Sequence, residues 1–100
     1  GRYLDRHPDS ARAHFVAGEA WRARPSESGA IDYAIAAYAQ AAALPGTPPA
    51  ALRNKGLLHR ERGENDLARE AFEKYIALDP QAVDAGIVRL YLQELSAAPP

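Results

Sequence analysis

The chain has 100 residues, 47 % of them hydrophobic, which suits one small domain with a modest core. Its 12 basic and 13 acidic side chains nearly cancel, which excludes the strongly basic surface that nucleic-acid binding requires. The absence of cysteine excludes disulfides and cysteine-bound metal, and no apolar run approaches the roughly 20 residues needed to span a bilayer.

Prolines, glycines and capping residues divide the sequence into helices. Ser10 or Asp9 can cap the first helix, Thr47 can cap the third, and Gly63 suits the left-handed residue that follows a helix. Five helices are predicted in chain order: one between Ser10 and Pro25, then about 30–44, roughly 48–62, one between Gly63 and Pro80, and about 82–95. The sequence therefore predicts an all-α chain.

The helix between Gly63 and Pro80 has one apolar stripe, whose members lie mostly three or four residues apart. The stripe consists of Leu67, Ala68, Ala71, Phe72, Tyr75, Ile76 and Leu78. Small alanines beside large rings indicate that a second backbone passes close to this helix.

The sequence contains an internal repeat. Three apolar positions of the second helix recur 34 residues later in the fourth, Ala34, Tyr38 and Leu44 as Ala68, Phe72 and Leu78. Gly18 recurs as Gly56, four residues later than that period requires, so the loop at residues 24–29 contains the extra residues. The sequence therefore predicts two helical hairpins, the first with a lengthened turn.

These residues resemble the tetratricopeptide repeat family. The second hairpin matches the family pattern at Gly56, Gly63, Ala68, Phe72, Leu78, Asp79 and Pro80, and the first at Gly18, Trp21, Ala34, Tyr38, Ala41 and Leu44. Lys55 departs from it, since an apolar residue is usual there, and so does Tyr75, where the family favours a small one. The resemblance implies an all-α fold, a right-handed superhelix of antiparallel helix hairpins (an α-solenoid), with about two repeats and a C-terminal capping helix.

The resemblance covers nearly the whole chain and implies a single domain over residues 1–100. Its parts would be the tail of a preceding helix at 1–8, a first unit at 9–45, a second unit at 47–80, the capping helix at 81–96 and a frayed tail at 97–100. Gly1 in place of a starting methionine, together with the arginine-rich composition, leads us to expect a fragment of a larger bacterial protein.

The sequence predicts that the chain is not an enzyme and needs no cofactor. None of its histidines lies in an HExxH helix or at zinc-ligand spacing, and no serine lies in a nucleophile elbow. His59 and His14 align in the repeat with Trp21 and Leu52, which predicts packing roles for both.

The family uses the first helix of each repeat to line a concave groove that binds partner peptides, so the resemblance implies a protein-interaction scaffold. The peptide-binding positions would be Arg12, Phe15, Glu19 and Arg22 in the first unit and Arg53, Asn54, Leu57 and Arg60 in the second. The four arginines predict an acidic or carboxylate-ending partner. The alternative for these arginines is an ordinary solvated helix face.

Two other functions stay open. The ending at residues 75–95 resembles the tails of bacterial cell-envelope metallopeptidases, so the chain could be the C-terminal accessory domain of a larger enzyme. That reading favours the periplasm or cell envelope over the cytoplasm. Alternatively the chain forms a homo-oligomer through exposed ends near Tyr3 and Leu4 or near Tyr91 and Leu95.

Overall fold

The structure of the chain, a computed structural model, describes residues 10–97. These residues form five α-helices and no strand: α1 Ala11–Arg22, α2 Ala30–Ala42, α3 Ala50–Glu61, α4 Asn65–Leu78 and α5 Ala85–Ala97. The predicted all-α helical-repeat class is confirmed. The tail predicted at residues 1–8, with Tyr3 and Leu4, lies outside the described residues. Two compact units make up the chain, Gly1–Ala51 and Leu52–Pro100.

Local chemistry explains where the helices begin and end. Ser10 caps α1 as predicted, since its hydroxyl accepts a hydrogen bond of 2.9 Å from the N–H of Ala13. Gly63 follows α3 with a φ of 75°, a left-handed conformation that glycine adopts without strain.

The prediction that Thr47 caps α3 is wrong. The Thr47 hydroxyl is buried without a hydrogen-bond partner. A capping side chain accepts from the N–H two or three residues on. Pro49 has none, and the N–H of Ala50, which corresponds to the Ala13 donor of the Ser10 cap, does not bond to Thr47. The helix begins instead at Ala50, and the N–H of Ala51 bonds to the carbonyl of Pro48 at 3.0 Å.

The first unit is a hairpin of α1 and α2 held by a glycine and a ring. A Cβ placed on Gly18 would lie 2.6 Å from Cε1 and 2.7 Å from Cδ1 of Tyr38, so α1 and the ring meet where only glycine fits. Tyr38 and Ala34 are fully buried. Small residues on one helix thus receive the large side chain of the other, as the sequence predicts.

The second unit repeats this contact almost atom for atom. A Cβ on Gly56 of α3 would lie 2.6 Å from Cε1 and 2.7 Å from Cδ1 of Phe72 on α4. Phe72 and Ala68 are fully buried. The equal distances confirm the predicted repeat register, in which Gly56 and Phe72 are equivalent to Gly18 and Tyr38.

The apolar stripe of α4 is narrower than predicted. Ala68, Phe72 and Tyr75 are buried, whereas Leu67 and Leu78 are 45 % and 56 % exposed. Leu67 and Leu78 lie five and six residues from Phe72, which places them about 140° and about 120° around the helix from it. Their inclusion in the buried stripe was therefore wrong.

Helix α5 packs against α4 through buried apolar residues and one ring pair. Val88 and Leu95 are buried, and the ring of Tyr91 lies 5.7 Å from that of Phe72. Tyr91 is only partly exposed, so Tyr91 and Leu95 do not form the open end surface that the sequence suggested. Ile87 and Leu90 are more than half exposed instead.

Candidate peptide-binding surface

On α1, the predicted site residues divide into exposed charges and side chains engaged within the hairpin. Arg12 is exposed, and Arg22 lies 3.6 Å from the Glu19 carboxylate. Glu19 also accepts a hydrogen bond from the Tyr38 hydroxyl. Phe15 is half-buried, with its ring 6.0 Å from the Tyr38 ring. Glu19 therefore satisfies a core tyrosine, as a buried hydroxyl requires.

On α3, Arg53 belongs to a four-residue cluster, here called the Asp84 cluster, with Asn54, Tyr75 and Asp84. Arg53 donates from Nη1 to Asp84 Oδ2 at 3.2 Å and from Nε to Asn54 Oδ1 at 3.1 Å. The Tyr75 hydroxyl donates to Asp84 Oδ1 at 2.5 Å. Side chains from α3 and α4 thus converge on one carboxylate directly before α5.

Asn54 is 1 % exposed, so it supports Arg53 from below the surface. A direct contact of Asn54 with a partner would require this packing to open. Its contribution to a binding surface is therefore to fix the Arg53 guanidinium through the hydrogen bond to Oδ1.

The Asp84 cluster shifts the proton affinity of two of its members. The hydrogen bond from Tyr75 and then the Arg53 guanidinium hold the pKa of Asp84 below its ordinary value of 3.8, against the effect of burial. Burial, and then the bond to the Asp84 carboxylate, raise the pKa of Tyr75 above its ordinary value of 10.0. The native state therefore favours an ionised Asp84 and a neutral Tyr75.

We expect the free energy of unfolding to be flat near neutral pH and to fall at both extremes. The stabilisation from Asp84 is complete above 3.8 and is lost as the pH falls through the lower folded-state pKa. That from Tyr75 is complete below 10.0 and is lost as the pH rises through the higher folded-state pKa. Urea unfolding between pH 2.5 and 11 measures both limbs.

Single substitutions assign the two limbs. Asp84→Asn should flatten the acid limb. Tyr75→Phe should flatten the alkaline limb and also weaken the acid limb, because the Tyr75 hydrogen bond is the main cause of the lowered pKa of Asp84. Glu73→Gln, at an exposed carboxylate of α4, should leave both limbs unchanged. An acid limb that is as steep in Asp84→Asn as in the wild type would remove the Asp84 cluster from the explanation.

Arg60 lies two helical turns beyond Arg53 on α3, and its environment differs from that of Arg53. Its guanidinium carbon lies 4.2 Å from the centre of the Tyr91 ring, and its Nη2 donates to Glu94 Oε2 at 3.2 Å. The side chains of Arg60 and Glu94 are 38 % and 63 % exposed. Leu57, on the same helix, is half-buried.

His59 and Glu64 form a polar contact between α3 and the start of α4. His59 is 5 % exposed, and its Nδ1 lies 2.9 Å from Glu64 Oε1. The predicted packing role of His59 agrees with this burial. Across residues 10–97, no three histidine, acidic or cysteine side chains gather where they could hold a metal ion.

The sequence predicted the arginines but missed their acidic partners on and before α5. Glu94 stands one 34-residue repeat after Arg60, so opposite charges occupy the same position on successive first helices. This spacing is a signal in the sequence that could have predicted the contact between Arg60 and Glu94. Asp84 gave no such signal, because it lies in the segment between α4 and α5.

A role in binding a partner stays a prediction for all eight residues. Among those on α3, Arg53 and Arg60 each hold a carboxylate, Asn54 supports Arg53, and Leu57 remains half-exposed.

In the part of the chain that the structure describes, no helix combines the length and the apolar character needed to cross a membrane.

Comparison with known proteins identifies one family. The family model described as tetratricopeptide repeat matches the chain twice, over residues 1–44 and 27–83. The two matches together cover both hairpins and the start of the segment that leads to α5. A search of curated proteins found no match.

Proposed function

The chain belongs to the tetratricopeptide repeat family, and we propose that it is a non-catalytic interaction module that binds a carboxylate-bearing segment of a partner protein. Tetratricopeptide repeats mediate protein–protein interactions. Each repeat has proposed contacts on its own first helix, α1 in the first repeat and α3 in the second. The partner is a protein or peptide, and no cofactor is required.

The observation that carries this proposal is that both α3 arginines bind carboxylates. Arg53 holds the Asp84 carboxylate and Arg60 holds the Glu94 carboxylate, each with an oxygen at 3.2 Å. Both carboxylates come from outside α3, so this helix already presents guanidinium groups in positions that accept acidic side chains. A partner carboxylate would meet the same donors.

Apolar contacts would add affinity beyond charge. Phe15 on α1 and Leu57 on α3 are half-buried, and each therefore keeps some apolar surface for a partner. Arg12 and Arg22 add positive charge to α1. Exposed charges alone give little affinity at physiological salt, so the half-buried side chains matter to the proposal.

Fluorescence anisotropy with a fluorescein-labelled peptide of alternating Glu and Ala tests the proposal. We expect binding that weakens as salt rises, and a loss of about tenfold in affinity for Arg60→Gln, because a hydrogen bond to a charged group contributes about 1.5 kcal/mol. An alternating Gln–Ala peptide serves as the reference ligand.

Arg69→Gln is the matched control. Arg69 lies on α4, is 39 % exposed against 38 % for Arg60, and also holds a carboxylate, that of Asp66 at 2.9 Å. The control should bind the acidic peptide as the wild type does. Equal losses in both variants would mean that only net charge matters and would refute a site on α3.

A further inference from the structure

The two α3 arginines differ in how much of each guanidinium is already used. Arg53 donates from Nε to Asn54 and from Nη1 to Asp84, so two sides of the group are engaged. Among the described residues Arg60 donates only from Nη2, to Glu94, and its side chain is 38 % exposed. A guanidinium has five N–H donors, so Arg60 keeps donors for a further acceptor.

The partly exposed guanidinium of Arg60 is held in place by stacking on an aromatic ring. Its guanidinium lies 4.2 Å above the Tyr91 ring, and Tyr91 packs 5.7 Å from the buried ring of Phe72. Phe72 in turn fills the space beside Gly56. A cation stacked on an anchored ring loses little conformational entropy when it binds a ligand, which favours affinity.

Of the two carboxylates bound by α3 arginines, Glu94 is held more weakly than Asp84. Glu94 is 63 % exposed and makes a single contact of 3.2 Å. Exposed ion pairs of this kind contribute little to stability, so an incoming carboxylate displaces Glu94 at small cost. Asp84 is different, because Tyr75 and Arg53 both bind it.

We infer that Arg60, stacked on Tyr91, is the carboxylate-recognition point of α3 and that Glu94 is a competitor built into α5. A partner binds there by replacing Glu94 with its own carboxylate. Arg53 serves instead to fasten the start of α5 through Asp84. This inference rests on the proposed function, and it adds that helix α5 of the same chain sets the affinity threshold for a partner.

The test is whether removing the competitor tightens binding. Glu94→Gln should bind the labelled Glu–Ala peptide up to about fivefold more tightly than the wild type, which is the equivalent of about 1 kcal/mol. Glu73→Gln removes one exposed negative charge from α4 and is the matched control, with a smaller gain expected. Circular dichroism should show equal helicity in all variants.

A double-mutant cycle ties the gain to Arg60. In an Arg60→Gln background, Glu94→Gln should raise the affinity for the peptide no more than Glu73→Gln does. Two forms of the peptide identify the carboxylate: one with Glu side chains and an amidated end, the other with Gln side chains and a free end. A gain confined to either form supports the inference and names the side chain or the chain terminus as the ligand.

The outcomes separate this inference from the proposed function. If the wild type binds through Arg60 and Glu94→Gln gains no more than Glu73→Gln, the competitor is refuted while the proposed function stands. If the gain persists without Arg60, it is a net-charge effect and the inference is again refuted. If no variant binds either peptide, both proposals fail.

Discussion

Replacing Phe72 with alanine should lower the free energy of unfolding by about 3–5 kcal/mol, the cost of removing a fully buried ring. Phe72 has no exposed surface, it meets α3 at Gly56, and its ring contacts that of Tyr91. One side chain thus contacts α3 and α5 from its position on α4. Urea unfolding followed by circular dichroism measures the loss.

An exposed ring gives the matched control. Tyr33 is 55 % exposed although its ring lies 4.8 Å from that of Trp21. Tyr33→Ala should cost only about 0.5–1.5 kcal/mol, the contribution of an aromatic pair, because the side chain is otherwise mostly exposed. Comparable losses in the two variants would contradict the assignment of Phe72 as the centre of the second unit.

Gly56→Ala should destabilise the protein by about 1–3 kcal/mol, although alanine is the better helix former by about 1 kcal/mol. The new methyl group would lie 2.6 Å from a carbon of the Phe72 ring, which is rigid and fully buried. Either the ring or α3 must move. Gly18→Ala should behave alike, because Tyr38 occupies the same place at the same distance.

Gly86 supplies the opposite case on α5. Apart from its chain neighbours and the nearby backbone of α5, no described atom lies within 4 Å of a Cβ placed there. Gly86→Ala should therefore raise the free energy of unfolding by about 0.5–1 kcal/mol. The two substitutions should therefore change the free energy of unfolding in opposite directions, which tests the close contact at Gly56. A stabilising Gly56→Ala would show that α3 and α4 are not in close contact.

Helix positions and the glycine–ring contacts followed from the sequence because each depends on local or periodic information. Ser10, Gly63 and the prolines act within a few residues. The 34-residue recurrence aligned Phe72 with Tyr38 and, after the four extra loop residues, Gly56 with Gly18. The Thr47 prediction was wrong because a suitable residue type does not by itself form a cap: Pro49 has no N–H, and the hydroxyl is buried without a partner.

The candidate site was only half predictable. The arginine positions follow from the repeat, but their state depends on acidic residues that lie far along the chain. Arg53 and Arg60 look equivalent in sequence, seven residues apart on one face. They differ because Tyr75 and Asp84 enclose the first, while Tyr91 and an exposed Glu94 border the second.

Leu90 has a consequence for how such an array can grow. It stands one repeat after Gly56, at the position where α1 and α3 each carry glycine against a ring, and its side chain is 57 % exposed. A further hairpin built on α5 with the same geometry would drive its aromatic ring into Leu90. Duplication of the α3–α4 segment preserves every glycine–ring pair, whereas extension from α5 requires Leu90 to become glycine first. A helix that packed against α5 at this position would therefore need a different contact from the one that Gly18 and Gly56 allow.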